Sequence, residues 1–223
     1  LSDAPALAVA SYRLLFSVAL LAPLYLREIA RVSRGEASAE RPEPGLELSN
    51  GPSLARAVLL SVASGVFLAF HFGLWITSLG YTSVASSTVL VTTHPILVAS
   101  AGALVLGERV RLRGVLLILT AVAGSILLVA GGIGEGESQS LGNVLAFLGA
   151  VAVSGYIILG RIVRRRLTVN AYTMIVYSVT AALLVAAALA FGVPLGPYPV
   201  REFAIFLALA LFCTLLGHSL LNW

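Results

Sequence analysis

Residues 54–79 read LARAVLLSVASGVFLAFHFGLWITSL, and they decide the fold class of this chain. The stretch holds one charged residue, Arg56, and is longer than the roughly 20 apolar residues that a helix needs to cross a bilayer. Inside a bilayer only helices and closed barrels satisfy every backbone polar group. A barrel strand would alternate apolar and polar residues in runs of about 10, which this stretch does not do. It therefore predicts a transmembrane helix.

Similar windows recur along the chain. They cover residues 5–26, 84–106, 112–132, 141–160, 171–191 and 203–223. Of all 223 residues, 59% are hydrophobic and 11% are charged, whereas soluble domains are roughly 45–50% apolar. We therefore predict an all-α membrane protein, a transmembrane bundle of about seven helices.

Most of the basic residues lie in alternate loops. The net charge of +4 could suit an anionic partner such as nucleic acid, but 12 of the 14 basic residues fall in three loops: Arg27, Arg31, Arg34, Arg41 and Arg56; Arg109, Arg111 and Arg113; and Arg161, Arg164, Arg165 and Arg166. The intervening loops, 80–83, 131–140 and 192–202, hold Arg201 alone. This is the positive-inside pattern, so we expect the arginine-rich loops in the cytoplasm and the protein in the plasma or inner membrane. It argues against nucleic-acid binding.

Outside the spans, the sequence offers few special features. Residues 27–53 are rich in Arg, Glu, Pro and Gly and predict a flexible cytoplasmic linker. Cys213 is the one cysteine, which excludes an intrachain disulfide, and its apolar surroundings predict a small core residue. We find no motif for a metal or a cofactor. Because the first span follows Leu1 at once and the last stops at Trp223, we expect the natural protein to be longer.

A weak internal repeat connects the two halves. His71 stands before Trp75, and His218 stands before Trp223. By the charge pattern the arginines that precede these pairs lie on opposite sides of the membrane, as in the inverted repeats of secondary transporters. With one pair in each half, chance remains an alternative.

Small residues recur at helical spacing, at Gly65, Ala69 and Gly73 and again at Ala146, Ala150 and Ser154. Such faces let helices approach closely in lipid, so helix packing is the favoured interpretation. A role in lining a transport pathway is the alternative.

Three short motifs carry a family resemblance. They are LGYTS at 79–83, THPI at 93–96 and LGER at 106–109, followed by Gly114 and an apolar helix that ends in Gly131 and Gly132. In this order they resemble the EamA family of the drug/metabolite transporter superfamily. Each motif alone is weak.

The resemblance implies a ten-helix protein made of two inverted five-helix repeats. Residues 1–132, including the linker 27–53, would form helices two to five of the first repeat. Residues 141–223 would form helices six to eight of the second, and helices one, nine and ten would be absent. The function implied is transport of small organic metabolites, with amino acids or related compounds favoured and export the expected direction. The two halves would then alternate access around a cavity near His71, Trp75, His94 and Pro95.

Arg13 lies well inside the first span, where a charged side chain costs about 2.5–3.5 kcal/mol on insertion scales. It needs a partner, such as a carbonyl, a substrate carboxylate or another helix. A structural role is favoured, with substrate contact as the alternative.

His94 precedes Pro95 near the middle of the third span. A proline removes one backbone hydrogen bond and kinks a helix, which is typical of transporter binding sites. His94 could bind substrate or carry a proton, or it could be a satisfied core histidine. His71 and Trp75 share a helix face and could add to a binding pocket, whereas Tyr81 fits the membrane interface.

The carboxylates all lie in loops or at helix ends, and Glu108 is expected to cap the next helix. The acidic residue within a span that is usual in proton-driven pumps is therefore missing from this portion.

Two other classes of protein compete with a transporter. A membrane-embedded enzyme would need a metal-binding or nucleophilic motif, and we find none. A seven-helix receptor or a non-transporting scaffold remains the alternative, although a retinal protein would require a lysine and the chain has none. The expected partners are a small-molecule substrate and the lipid bilayer, with a homodimer left open.

Overall fold

The computed structural model of the chain describes residues 2–34, 52–106, 112–130 and 137–218. Within these ranges all regular structure is helical. The helices are α1 (Ala6–Ser33), α2 (Leu54–Ser78), α3 (Val84–Val91), α4 (His94–Leu106), α5 (Leu112–Ala130), α6 (Glu137–Val163), α7 (Val169–Ala190) and α8 (Val200–Ala208), and α8 continues as a π-helical segment, Leu209–His218. The prediction of an all-α protein is confirmed.

Six helical stretches of the described residues are long and apolar enough to cross a membrane. They are Ala6–Ser33, Leu54–Ser78, Val84–Leu104, Gln139–Val163, Val169–Ala190 and Val200–Gly217. The remaining predicted span corresponds to α5, of which Leu112–Gly124 is a shorter apolar helix. In its described residues each predicted span therefore coincides with apolar helical structure, and the third is divided into α3 and α4.

Helix α1 is longer than the sequence predicts. It continues to Ser33, through residues 27–33 that the sequence assigns to a flexible linker. Leu, Arg, Glu and Ala are good helix formers, and Glu28 is anchored by Thr168 and Asn170, so the helix has no reason to end at Leu26. The linker's residues 35–51 lie outside the described ranges.

The chain packs as two compact units. The first comprises Leu1–Ala69 and Leu159–Trp223, and the second comprises Phe70–Ile158. In the first unit α1 packs mainly on α7, and also on α8 and the π-helical segment. In the second unit α3 packs on α5.

Glycine permits close contacts in each unit. A Cβ on Gly65 in α2 would lie 2.7 Å from Cβ of Val179 in α7. In the second unit, a Cβ on Gly142 in α6 would lie 2.7 Å from Cβ of Thr82. No real side chain tolerates such distances. Helix α2 can therefore approach α7, and the turn before α3 can approach α6, because glycine has no side chain.

Several buried serine hydroxyls are satisfied within their own helices. Ser11, Ser17 and Ser61 each donate to the carbonyl four residues earlier, at 2.8 Å. This bond lets a serine lie in an apolar helix without an unpaired polar group.

Candidate functional site

The third span is broken at the sequence Thr92-Thr93-His94-Pro95, and side chains satisfy the break. Pro95 has no N–H, so the carbonyl of Val91, four residues earlier, loses its helical donor. The ring of His94 replaces it, with Nδ1 3.0 Å from that carbonyl oxygen. Thr92 and Thr93 donate in the same way to the carbonyls of Val89 and Leu90, at 2.9 and 2.7 Å.

This arrangement decides the tautomer of His94. A carbonyl oxygen can only accept, so Nδ1 carries the proton of the bond. In the neutral ring Nε2 then keeps a lone pair and can accept a hydrogen bond. His94 is half-buried, and Pro95 beside it is exposed. Nδ1 of His94 is therefore occupied by the backbone carbonyl of Val91, whereas Nε2 can accept from a hydrogen-bond donor.

His71 and Trp75 form a stacked pair at the end of α2. Their ring centroids are 5.8 Å apart and the ring planes differ by 16°. Nδ1 of His71 lies 2.9 Å from the carbonyl oxygen of Gly149 in α6, so this nitrogen also carries a proton. His71 is buried, with 6% of its surface exposed.

The indole nitrogen of Trp75 has no hydrogen-bond partner among the described residues, although the atom is buried. A Cβ on Gly149 would lie 3.4 Å from Cβ of Trp75, so α6 lies directly against this residue. A buried N–H donor without an acceptor is costly and marks a place where a ligand acceptor would be stabilised.

Helix α6 contacts both elements, on different sides of its axis, because residues five apart lie about 140° apart around a helix. Ser154 donates to the carbonyl of Ala150 at 2.7 Å, and the same hydroxyl lies 3.4 Å from the carbonyl oxygen of His94. Gly149 and Ser154 are five residues apart, which is about 7.5 Å along a helix. The end of α2 and the start of α4 thus meet α6 within about two turns of each other.

Arg13 lies in the first unit, in α1, with 8% of its surface exposed. Its Nε donates to Oγ1 of Thr214 in the π-helical segment, at 2.6 Å. The guanidinium also interacts electrostatically with Cys213 and Tyr177. A hydroxyl on another helix is thus one partner of this buried charge, as a structural role requires.

A second polar cluster in the first unit was not predicted. The carboxylate of Glu202, in the first turn of α8, is 2% exposed. It accepts from the hydroxyl of Ser2 at 2.5 Å and from the backbone N–H of Asp3 at 3.2 Å. Glu202 does lie at a helix end, as the sequence indicates, but it is buried. Charge patterning alone could not reveal that burial, because the partners are about 200 residues away in sequence.

Aromatic rings pack beside this carboxylate. Tyr12 stacks on Phe206 with centroids 5.1 Å apart and contacts Tyr198 and Phe203 edge to face. The hydroxyl of Tyr12 donates to the carbonyl of Leu195 in the α7–α8 connection. Partial burial, with Tyr12 and Glu202 nearby, raises the pKa of Tyr198 above its ordinary value of 10.0.

The described residues form apolar helices with one broken span and a few buried polar groups, and a family model matches more than half of the sequence. The model of the EamA-like transporter family matches residues 1–130. This chain belongs to the EamA-like transporter family. The EamA-like chain is therefore a multi-pass membrane protein of the drug/metabolite transporter type, a class of transporters and not of enzymes.

A solved crystal structure supports the fold of the EamA-like chain. It matches 100% of this chain and 69% of its own chain, with a TM-score of 0.68 and 21% sequence identity. At this identity the likeness concerns the fold alone. No curated protein matches the chain in sequence.

The predicted site residues of the EamA-like chain lie in both units. His71, Trp75, His94 and Pro95 belong to the second unit, where His71 and Trp75 stack and α6 contacts both helices. Arg13 belongs to the first. Tyr81 is 45% exposed, and its position at the membrane interface stays a prediction. Glu108 and Trp223 lie outside the described residues.

Two further predictions concern Cys213 and metals. Cys213 is exposed and is not the small core residue that the sequence predicts, because its neighbour Thr214 takes the inward position toward Arg13. Among the described residues, no group of three His, Cys, Asp or Glu side chains could hold a metal ion.

Proposed function

We propose that this chain forms part of a transporter that moves small organic metabolites across the plasma or inner membrane, with amino acids and related compounds as the substrate class. The proposal includes export, arginine-rich loops in the cytoplasm, and the ten-helix plan with inverted repeats at 1–132 and 141–223. Family membership supports transport in general. The observation that carries the site is the broken third span at His94 and Pro95.

Two groups in the second unit complement an amino acid. Nε2 of neutral His94 is an acceptor that would bind a substrate ammonium group. The indole N–H of Trp75 is a buried donor that would bind a substrate carboxylate. His71 stacks on Trp75 and, through its bond to Gly149, holds the indole against α6. Arg13 is a further candidate contact for a substrate carboxylate, acting in its own unit.

Alternating access is the proposed mechanism. The span is interrupted at Thr92 and Thr93, whose hydroxyls already donate to the backbone carbonyls before the break. The helix can therefore change direction there without losing further backbone hydrogen bonds. Binding of substrate by His94 and Trp75 would then favour one orientation of α4 over the other, since a ligand shifts a conformational equilibrium only through differential affinity. A homodimer is compatible with this mechanism and is not required by it.

The site is tested by exchange of labelled amino acids in liposomes that contain the complete gene product. Two variants remove one contact each and keep the rest of the side chain's function. Trp75→Phe keeps the ring and loses the N–H. His94→Asn keeps a donor for the Val91 carbonyl and loses the Nε2 acceptor. Tyr81→Phe, at an exposed position, is the matched control.

We expect both site variants to fold like the parent and to lose at least ten-fold in exchange efficiency, with the control unchanged. If exchange survives both substitutions, transport stands and the site lies elsewhere. If well-folded parent protein shows no exchange, the receptor or scaffold alternative takes precedence.

A further inference from the structure

Helix α1 is too long for the hydrocarbon core alone. Its 28 residues span about 42 Å at 1.5 Å per residue, whereas the core of a bilayer is about 30 Å thick. About 20 residues from Ala6 are enough to cross that core. Residues 26–33 therefore extend into the headgroup region at one membrane surface.

This extension is amphipathic. Leu26, Ile29 and Val32 recur every three residues and are 62%, 46% and 45% exposed. Arg27 and Arg31, one turn apart, are also exposed, and the 100° step of a helix puts them on the opposite face. An exposed apolar stripe opposite a basic stripe suits a helix end at the membrane interface, where apolar side chains can reach acyl chains and arginines can reach headgroups.

A second basic segment belongs to the same end of the first unit. Arg165 and Arg166 are exposed in the turn that follows α6. The N–H of Arg166 donates to the carbonyl of Val163 at 2.8 Å, which fixes the turn. Thr168 then caps α7 by accepting from the N–H of Ala171 at 3.2 Å.

Glu28 holds the two basic segments together. Its carboxylate accepts from the hydroxyl of Thr168 at 2.5 Å and from the side-chain amide of Asn170 at 2.7 Å. The other carboxylates that the structure describes in this unit, Asp3 and Glu202, lie at the opposite end of α1. Among the described residues at this end of the unit, one carboxylate thus stands beside four exposed guanidinium groups, so these groups together carry a net positive charge.

We propose that Arg27, Arg31, Arg165 and Arg166 form a binding site for the headgroups of anionic phospholipids. Guanidinium groups bind phosphate oxygens through paired, charge-assisted hydrogen bonds. Basic segments beside a membrane are attracted to anionic lipids, and the apolar stripe of α1 enters the acyl boundary next to them. The adjoining stripe selects a lipid over a soluble phosphate, because only a lipid covers both. This inference does not depend on the transported substrate.

The test is native mass spectrometry of the purified complete gene product, titrated with phosphatidylglycerol or with phosphatidylcholine of the same acyl chains. The variants are Arg27→Gln with Arg31→Gln, and Arg165→Gln with Arg166→Gln. The control is Arg201→Gln, because Arg201 is similarly exposed, at 65%, at the opposite end of the unit. All these side chains are at the surface, so the variants should fold, and thermal unfolding checks this.

We expect phosphatidylglycerol to bind several-fold more tightly than phosphatidylcholine, each double variant to lose most of that preference, and the control to keep it. Excess inorganic phosphate should leave the bound lipid in place. Equal binding of the two lipids, or an unchanged preference in both double variants, would overturn the proposal. Displacement of the lipid by inorganic phosphate would also overturn it and would indicate a site for soluble phosphate.

Discussion

At the scale of single residues, His94 shows how a structural and a binding role can share one side chain. The sequence predicts a kink from Pro95, and the structure confirms a break there. Which nitrogen of His94 is committed to the backbone could not be predicted, because it depends on the ring's orientation toward Val91. The unpaired indole N–H of Trp75 could not be predicted either, since its burial depends on how α6 packs against this residue.

Arg13 is the other residue whose role depends on a distant partner. The sequence places the charge of Arg13 inside a span, where it needs a partner. That partner could not be identified, because Thr214 is 201 residues away and belongs to no motif. The one available indication of a partner was that some polar side chains lie within the apolar spans. Nothing in the sequence pairs this particular threonine with this arginine.

Thr214→Val should destabilise the protein. Valine has nearly the shape of threonine but cannot accept from the guanidinium, and a hydrogen bond to a charged group contributes about 1.5–3 kcal/mol. The measurement is unfolding in detergent, followed by circular dichroism. The matched control is Thr120→Val, because Thr120 is exposed and bonds only a carbonyl of its own helix, at 2.8 Å. Equal stability of the two variants would mean that Thr214 does not stabilise Arg13.

At the scale of helices, the apolar windows of the sequence predict that a helix is present better than they predict where it ends. The apolar windows locate every span, but α1 runs seven residues past its predicted end because Glu28 is held by α7's first turn. The alternation of arginine-rich loops also agrees with one contact, since the end of α1 and the turn after α6 lie at the same end of the first unit. Which side of the membrane that end faces stays a prediction.

The small residues that were predicted to pack helices differ in how closely other parts of the chain approach them. Ala146 and Ala150 are fully buried in α6, and Gly65 lies against α7. Gly73, in the same predicted face as Gly65, has nothing within 4 Å of the place where a Cβ would stand. Spacing alone could not separate these glycines, because it does not reveal which part of the face a neighbouring helix covers.

Gly65→Ala should therefore destabilise the contact of α2 with α7, whereas Gly73→Ala should not. The added methyl group at residue 65 would meet both Val179 and the backbone oxygen of Val176 at under 3 Å. Forcing a methyl group into a packed contact costs about 1–3 kcal/mol. Unfolding of both variants in detergent provides the measurement, and similar stability at the two positions would contradict the close contact described here.

At the scale of the whole molecule, the EamA-like family model covers residues 1–130 and a solved structure matches the chain over 69% of that structure's length. The sequence motifs at 79–109 were sufficient to indicate the family, because their order is more specific than any one of them. The inverted ten-helix plan remains a prediction. The weak repeat between His71 and His218 cannot test it, since Trp223 lies outside the described residues.

The most direct test of the account is transport itself. The complete gene product, reconstituted in liposomes loaded with unlabelled amino acids, is given the labelled compounds outside, and uptake is compared with empty liposomes. An alternating-access transporter predicts uptake that saturates with external substrate and is accelerated by substrate on the other side. Uptake that is no faster than in empty liposomes, from protein shown to be folded, would contradict the assignment of this chain to amino-acid and metabolite transport.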